Sequence, residues 1–303
     1  MISILLPTYR YDVRPLVRAL HTQASRLSVD WEILVMDDGS GGHWPGLHEE
    51  LNALPGVRIR ALEKNTGRAA IRNTLARAAR FEHLLFLDGD SGLIRADFLA
   101  SYVGLLPFHG VLYGGRTYAL SPPADPALLL HWRYGHARES LPVAARRRRP
   151  YHAFMTNNFC IARATFLAQP FDEELHAYGH EDTLFGWQLR QRQVPIHHLD
   201  NPVEHLGLEP AAPWLAKQEA AIRNLHQLYH RYPYLHTRAL GFWLRLRRWR
   251  LLPFAGPALT ALAPLARRRL LSQKDASFYW LDLLKLYWLE MARHQRTRVN
   301  EDD

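Results

Sequence analysis

Asp88 and Asp90 stand one glycine apart in LLFLDGDSG, directly behind an apolar run. If strand geometry persists past that run, both carboxylates point the same way, and Gly89 leaves room for a ligand to approach the backbone. A surface turn uses the same residue types, so the spacing alone leaves both readings open. Carboxylate oxygens are hard ligands for Mg²⁺ or Mn²⁺, and such a cation neutralises the charge that gathers on a departing diphosphate. That chemistry also requires a base on the opposite side of the reacting carbon. YGHEDTLFGWQL offers Glu181 and Asp182 at a helix start, and DNPVEHLG offers His205 downstream.

The elements that must position these groups are readable from periodicity. Short apolar runs at 2–6, 31–40, 57–62 and 83–90 alternate with helical patterns at 13–27, 43–54 and 66–81, the signature of a βαβ arrangement. Strand ends in an open parallel sheet converge on one crevice, and Thr8, Asp37, Asp38, Asp88 and Asp90 all fall at such ends. Further along, the pattern predicts a helix over 97–106, a strand over 110–120, an irregular Pro-, Ala- and Arg-rich stretch, and a short strand with a polar corner within 155–167. Helices follow at 181–193 and 213–232. From 234 to 270, apolar and arginine-rich pieces are broken by Pro253, Pro257 and Pro264. The segment 276–295 then carries Leu281, Leu284, Trp288 and Met291 at helical steps. That stripe fits packing on its own domain or a homodimer, and the aromatics Trp280, Tyr287 and Trp288 would also suit a membrane interface.

With 303 residues, 48% of them hydrophobic, the chain can bury a substantial core. Its single cysteine, Cys160, excludes an intrachain disulfide framework and fits a buried structural thiol in a reducing compartment. The short apolar run MISILL, followed at once by Pro7 and Thr8, reads as a first strand and not as a secretory leader. No window reaches 18 apolar residues, which argues against a spanning helix and favours a cytoplasmic enzyme. The net charge of +9 is concentrated in Arg146–Arg149, LRLRRWR at 244–250 and RRR at 267–269. Such runs attract nucleic acid, anionic lipid or a phosphorylated small molecule, or form a solvated face. No zinc pattern or recognition-helix motif accompanies them, so a specific nucleic-acid partner is not expected. The basic C-terminal region is expected to hold the chain near anionic membrane, at the inner face of the plasma membrane.

Taken in order, SILLPTYR, VMDDGS, KNTGRAAIRN, FLDGDSG and the late GHED resemble a family 2 inverting glycosyltransferase of the GT-A fold, over about residues 2–207. The resemblance implies a Rossmann-like, mostly parallel central sheet flanked by helices. It implies a catalytic domain over 1–245, with a nucleotide-binding half to about 120 and an acceptor-binding half beyond, followed by a basic helical extension over 246–303. It further implies that Pro7, Thr8 and Tyr9 line a nucleotide pocket, Asp38 recognises uracil, and Arg68 touches ribose or diphosphate. Asp88 and Asp90 match a DxD motif, and the resemblance makes Asp90, Asp88 and His205 the candidate ligands of Mn²⁺ or Mg²⁺, with Asp90 the usual ligand, Asp88 commonly nearer ribose or sugar, and His205 completing the site. Asp182 resembles the general base, with Glu181 as competitor or acceptor ligand. Asn157 and Asn158 lie where acceptor hydroxyls bind, although they would also suit a turn. Trp187, Trp132 and Trp44 are candidates for sugar stacking or for core packing. The implied partners are a nucleotide-sugar donor, UDP-linked by preference, and a glycan, lipid-linked or small-molecule acceptor, in bacterial polysaccharide biosynthesis. A nucleotidyltransferase on a similar scaffold would use the same paired acids.

Overall fold

The apolar runs of the first hundred residues become four parallel strands: three are buried on both faces, as strands inside an α/β sheet must be, and the one at the sheet edge, residues 57–61, buries Val57 and Ile59 on one face only. In the computed structural model, which describes residues 1–42, 46–175, 178–272 and 277–299, these are β1 (Ile2–Thr8), β2 (Trp31–Asp37), β3 (Val57–Ala61) and β4 (His83–Leu87). They are followed by β5 (Ser91–Leu93), β6 (Val111–Tyr113), β7 (Arg116–Thr117), β8 (Asn158–Ala162), β9 (Ile196–His198) and β10 (Val203–His205). The larger sheet has the order β3-β2-β1-β4-β8-β6-β9, and within it only β8 runs antiparallel to its neighbours. Side chains alternate across it with period two. Ile2, Ile4 and Leu6 face one cluster with α1 (Arg14–Ala24), α2 (Leu47–Asn52) and α4 (Phe98–Val103). Leu5, Leu84 and Phe86 face the other, with α3 (Arg68–Ala78), α7 (Arg163–Ala168) and α8 (Glu181–Gln191). The mostly parallel sheet with helices on both faces is thus the architecture expected.

One strand expected over 110–120 is instead two, and they belong to different sheets. β6 ends at Tyr113, just before Gly114, and β7 joins the small sheet β5-β10-β7. Gly115 sits at φ 101°, and a Cβ on it would lie 2.8 Å from Arg146 Nη2. A Cβ on Gly114 would lie 2.4 Å from Asn158 Nδ2 and 2.5 Å from the Tyr102 hydroxyl. Two glycines allow the turn between sheets and the close approach that accompanies it. Asn158 serves the same corner. Its Oδ1 accepts from the Tyr102 hydroxyl at 2.7 Å, and its Nδ2 donates to the carbonyls of Gly115 and Asn201.

The chain divides into two compact units. The first comprises Met1–Ala119, His136–His176 and Glu181–Gly207, and the second Leu120–Gly135, Ala177–His180 and Leu208–Asp303. The main division therefore falls after Gly207, upstream of the expected boundary at 245. Its cause is packing within the second unit, where α9 (Ala211–Arg231) and α10 (Arg238–Arg248) lie against α12 (Phe278–Val299), and α11 (Leu252–Ser272) lies against α12 and α9. Leu281, Leu284 and Trp288 of the expected stripe are buried there, while Met291 is half-buried. Trp243 donates its indole N–H to the buried Glu290 at 3.0 Å, and Arg293 also pairs with that carboxylate. Pro257 and Pro264 do not end α11 as the sequence suggests. Its residues Leu252, Gly256, Leu259, Ala263, Ala266 and Leu270 form a buried stripe at steps of three and four. Packing of that stripe outweighs an intrinsic cost of about 3 kcal/mol per interior proline.

Replacing Gly114 by Ala is expected to cost about 1–3 kcal/mol, since three atoms would crowd the new methyl group. Chemical denaturation of the first unit, followed by near-UV circular dichroism, measures it. An unchanged midpoint would mean that the corner is looser than the structure has it.

Candidate active site

The first unit places six of the carboxylates singled out in the sequence, Asp37, Asp38, Asp88, Asp90, Glu181 and Asp182, at strand and helix ends. At the end of β2, Asp37 accepts from the backbone N–H and hydroxyl of Ser40. Asp38 accepts from the N–H and hydroxyl of Thr66 through Oδ1 and from Gly67 N through Oδ2, just ahead of α3. The backbone N–H of Asp38 bonds to Thr8 O at 2.8 Å, which locks the ends of β1 and β2 together. Gly39, at φ 77°, is required here because a Cβ would lie 2.6 Å from the Lys64 carbonyl carbon. Thr8 is buried, and Tyr9 beyond it is 45% exposed with the Arg10 guanidinium over its ring.

Asp88 and Asp90 have separate fates. The Asp88 carboxylate accepts from Arg72 Nη2 at 2.5 Å and from Arg116 Nη2 at 3.3 Å. Arg116 continues to Glu139 at 3.1 Å, and the Tyr118 hydroxyl donates to the same carboxylate. Burial works against the charge on Glu139, but Arg116 and the Tyr118 hydrogen bond more than offset it and hold its pKa below the usual carboxylate range. Asp90 faces β10. Antiparallel pairing of β5 and β10 sets His205 opposite Ser91, which leaves His205 Nδ1 3.5 Å from Asp90 Oδ2. Burial alone would raise the Asp90 carboxyl, but His205, Arg116 and Arg68 hold it well below its ordinary value. Gly207 closes this corner, since a Cβ there would lie 2.3 Å from Asp90 Oδ2.

Among the described residues, four buried side-chain atoms without a hydrogen-bond partner belong to this neighbourhood: Asp90 Oδ1, Arg72 Nε, Arg116 Nε and Asn157 Nδ2. Buried polar groups are paired in the great majority of cases, so a cluster of exceptions marks a place where something else supplies the partners. Asp90 Oδ1 and His205 are suited to a hard or borderline divalent cation.

At the start of α8, Glu181 and Asp182 are adjacent and differ in acid strength. Burial raises Asp182, the charge of Glu181 raises it further, and its pKa reaches about 6 despite bonds from the Thr183 N–H and hydroxyl. Burial opposes ionisation of Glu181 too, but Arg68 and Arg72 reverse the sign and lower its pKa. Arg68 Nη1 reaches Glu181 Oε1 at 3.2 Å, so this expected donor-side arginine is tied to the acid pair.

Asn157 and Asn158, expected together on the acceptor side, part ways. Asn158 is fully buried and spends both amide N–H groups and one lone pair of Oδ1 on the glycine corner, so the turn-bracing alternative describes the contacts it makes. Asn157 uses Oδ1 for the Tyr113 hydroxyl at 3.4 Å and keeps Nδ2 unspent. Trp187 is buried against His152, Trp132 is half-buried, and Trp44 lies outside the described residues. Arg72, Arg116 and Glu139 escaped the sequence reading. Arg72 had one local signal, its position four residues after Arg68 on the same helical face.

Residues 3–138 match the sequence profile described as glycosyl transferase family 2. This segment is a family 2 glycosyltransferase domain. Solved structures extend the likeness along the chain. A mannosyltransferase from Pyrobaculum calidifontis, in complex with GDP-Man and Mn²⁺, is 17% identical with a TM-score of 0.57, over 96% of this chain and 86% of that one. TarS (residues 1–349) from S. aureus in complex with UDP-GlcNAc is 17% identical with a TM-score of 0.52, over 97% of this chain and 91% of that one. Glucosyl-3-phosphoglycerate synthase from Mycobacterium tuberculosis, with Mg²⁺ and UDP, is 17% identical with a TM-score of 0.51, over 75% of this chain and 78% of that one. These are likenesses of architecture, and the architecture is the GT-A fold. No curated protein matches the chain in sequence.

Within this family 2 domain, Arg72→Met should destabilise the first unit by about 3 kcal/mol, because it strips one partner from a largely buried charge pair. Adding Asp88→Asn should recover part of that loss in a double-mutant cycle read by denaturant titration. Strict additivity of the two changes would refute the coupling.

Proposed function

We propose that the chain is an inverting glycosyltransferase that moves a sugar from a nucleoside diphosphate donor, UDP by preference, to an acceptor hydroxyl, with Asp182 as the base. The observation that carries this reading is the placement of two adjacent carboxyls at the start of α8 with Arg68 Nη1 3.2 Å from Glu181 Oε1: the guanidinium favours an ionised Glu181, while burial and that neighbouring charge raise Asp182. A pair of titratable groups pushed apart in this way is how a site assigns proton-transfer roles near neutral pH.

In this reading residues 1–120 hold the donor. Asp38 Oδ2 accepts one bond from Gly67, and a second lone pair is left for an imide N–H of the base. Pro7, Thr8 and Tyr9 border the nucleotide at the end of β1, and Arg68 offers its guanidinium to ribose or diphosphate. No three carboxylate, imidazole or thiol side chains gather into a metal site among the described residues. The protein's share of a Mn²⁺ or Mg²⁺ site is then Asp90 and His205, with diphosphate oxygens and water completing the shell, a usual arrangement for Mg²⁺. The bound cation would neutralise charge on the departing diphosphate. Asp88, already balanced by Arg72 and Arg116, is assigned to orienting those arginines and the sugar, and not to the metal.

The acceptor oxygen attacks the anomeric carbon from the face opposite the diphosphate. A carbon–oxygen bond forms as the bond to the diphosphate oxygen breaks, and the leaving group takes the electron pair. The acceptor proton passes to Asp182, whose raised pKa makes it a better base than an ordinary aspartate. Asn157 Nδ2 is a donor for an acceptor or sugar hydroxyl. Incubation with a panel of nucleotide sugars and acceptors tests the assignment. Nucleoside diphosphate and a glycoside of inverted configuration are the expected products, whereas pyrophosphate with a new nucleotide sugar would replace the reading with nucleotidyl transfer.

Asp182→Asn should lower kcat by at least about a hundredfold while leaving UDP affinity within about twofold, since the base is asked only for proton transfer. The kcat/KM of the unaltered enzyme should fall on the acid side of about pH 6. The same shift affects stability. A carboxyl whose pKa is higher in the folded state favours folding when protonated, and that benefit is lost as pH rises from about 4 through about 6. Asp182→Asn should therefore be more stable than the unaltered chain at pH 7.5 and lose that advantage below pH 4, which melting curves across pH decide. Gly207→Ala should weaken Mn²⁺-assisted UDP binding by at least about tenfold by displacing Asp90, with metal-free UDP binding unchanged. An unaltered calorimetric titration would remove Asp90 from the metal site.

A further inference from the structure

α11 carries an apolar surface on the side opposite the one it buries. From Leu252 to Ala266 it has no charged residue, and Thr260 is its only hydroxyl-bearing side chain. The buried stripe accounts for one face. Rotated by about half a turn, Phe254, Ala258, Ala261 and Leu265 recur at steps of four, three and four, and all four are exposed, Phe254 to 79%. Leu262 flanks them, and Trp249 and Leu251 extend the apolar surface at the preceding turn, Trp249 being 64% exposed. An amphipathic surface helix should place polar residues on that side. No helix among the described residues is long and apolar enough to cross a membrane.

Charge identifies what covers this face. Residues 220–272 contain ten arginines and neither aspartate nor glutamate. Exposed arginines stand at both ends of the apolar strip, Arg245, Arg247, Arg248 and Arg250 before it and Arg267, Arg268 and Arg269 after it. Arg267 also lies 3.9 Å from Glu219. Apolar side chains framed by arginines match the boundary between acyl chains and anionic headgroups, where a helix lies in the plane of the surface. A second copy of the same face would instead set arginines against arginines.

We propose that the outward face of α11, with the turn that precedes it, is a docking surface for anionic lipid bilayers. Phe254, Leu262 and Leu265 enter the headgroup boundary while the two arginine groups pair with lipid phosphates.

The test is cosedimentation of the full chain with phosphatidylcholine vesicles, with and without phosphatidylglycerol, at low and high salt. Binding is expected to the anionic vesicles only and to weaken with salt. Phe254→Ser with Leu265→Ser, both at exposed positions, should reduce binding at least about tenfold with all charges intact. Arg248→Gln with Arg268→Gln should reduce it on the order of fivefold per arginine. Equal binding to neutral vesicles, binding indifferent to the Phe254 and Leu265 changes, or no binding would overturn the proposal. Self-association in sedimentation velocity that those same changes abolish, without vesicle binding, would give the face to a second copy of the chain.

Discussion

The Asp88 carboxylate, placed between two arginines, is the interaction on which the arrangement of the first unit turns. Arg72 reaches it from α3 and Arg116 from the small sheet, so a single side chain at the end of β4 ties together three elements remote in sequence. Breaking such a pair by removing one partner costs about 3–5 kcal/mol, because the remaining charge is left partly desolvated. The pair is extended, since Arg116 is also held by Glu139, which accepts from Tyr118, and Tyr118 packs edge-on against the ring of His205. From Asp88 to His205 the site is a continuous set of ion pairs, hydrogen bonds and ring contacts. Its geometry is therefore set by the fold before any ligand arrives.

The same arginines act on a second carboxylate pair. Arg72 and Arg68 lie one helical turn apart on α3, and their fields keep Glu181 ionised. That retained charge is the second cause, after burial, of the raised pKa of Asp182. Two residues adjacent in sequence thereby acquire different acid strengths, although the chemistry of their side chains is nearly the same. The distinction arises from where α3 points its guanidinium groups.

Much of the fold was legible in the sequence because parallel strands buried on both faces leave apolar runs, as in β1, β2 and β4, while β3 at the sheet edge shows the alternation of a strand buried on one face. The strand-end acids were legible for the same reason. The switch between sheets was not, because Gly114 and Gly115 are read from one window as a weak spot in a strand, whereas their purpose is to avoid Asn158 and Arg146 from distant segments. Helix α11 was misread at Pro257 and Pro264, where tertiary packing outweighs local propensity. In the site, Arg116 and Glu139 carry no motif, since ion pairs between residues far apart leave no spacing to detect. Asn158 was ambiguous for a related reason: an amide beside a candidate site looks the same in sequence whether it meets a ligand or braces a corner.

Cys160 lies fully buried in β8, between β4 and β6, and burial pushes its thiol pKa far above the usual range. A thiol that is neither ionised nor reachable does not compete for alkylating reagents. The folded chain is consequently a silent background for thiol chemistry: a cysteine introduced at any exposed position would be the one group to take a spin label or fluorophore, with no native residue to remove first.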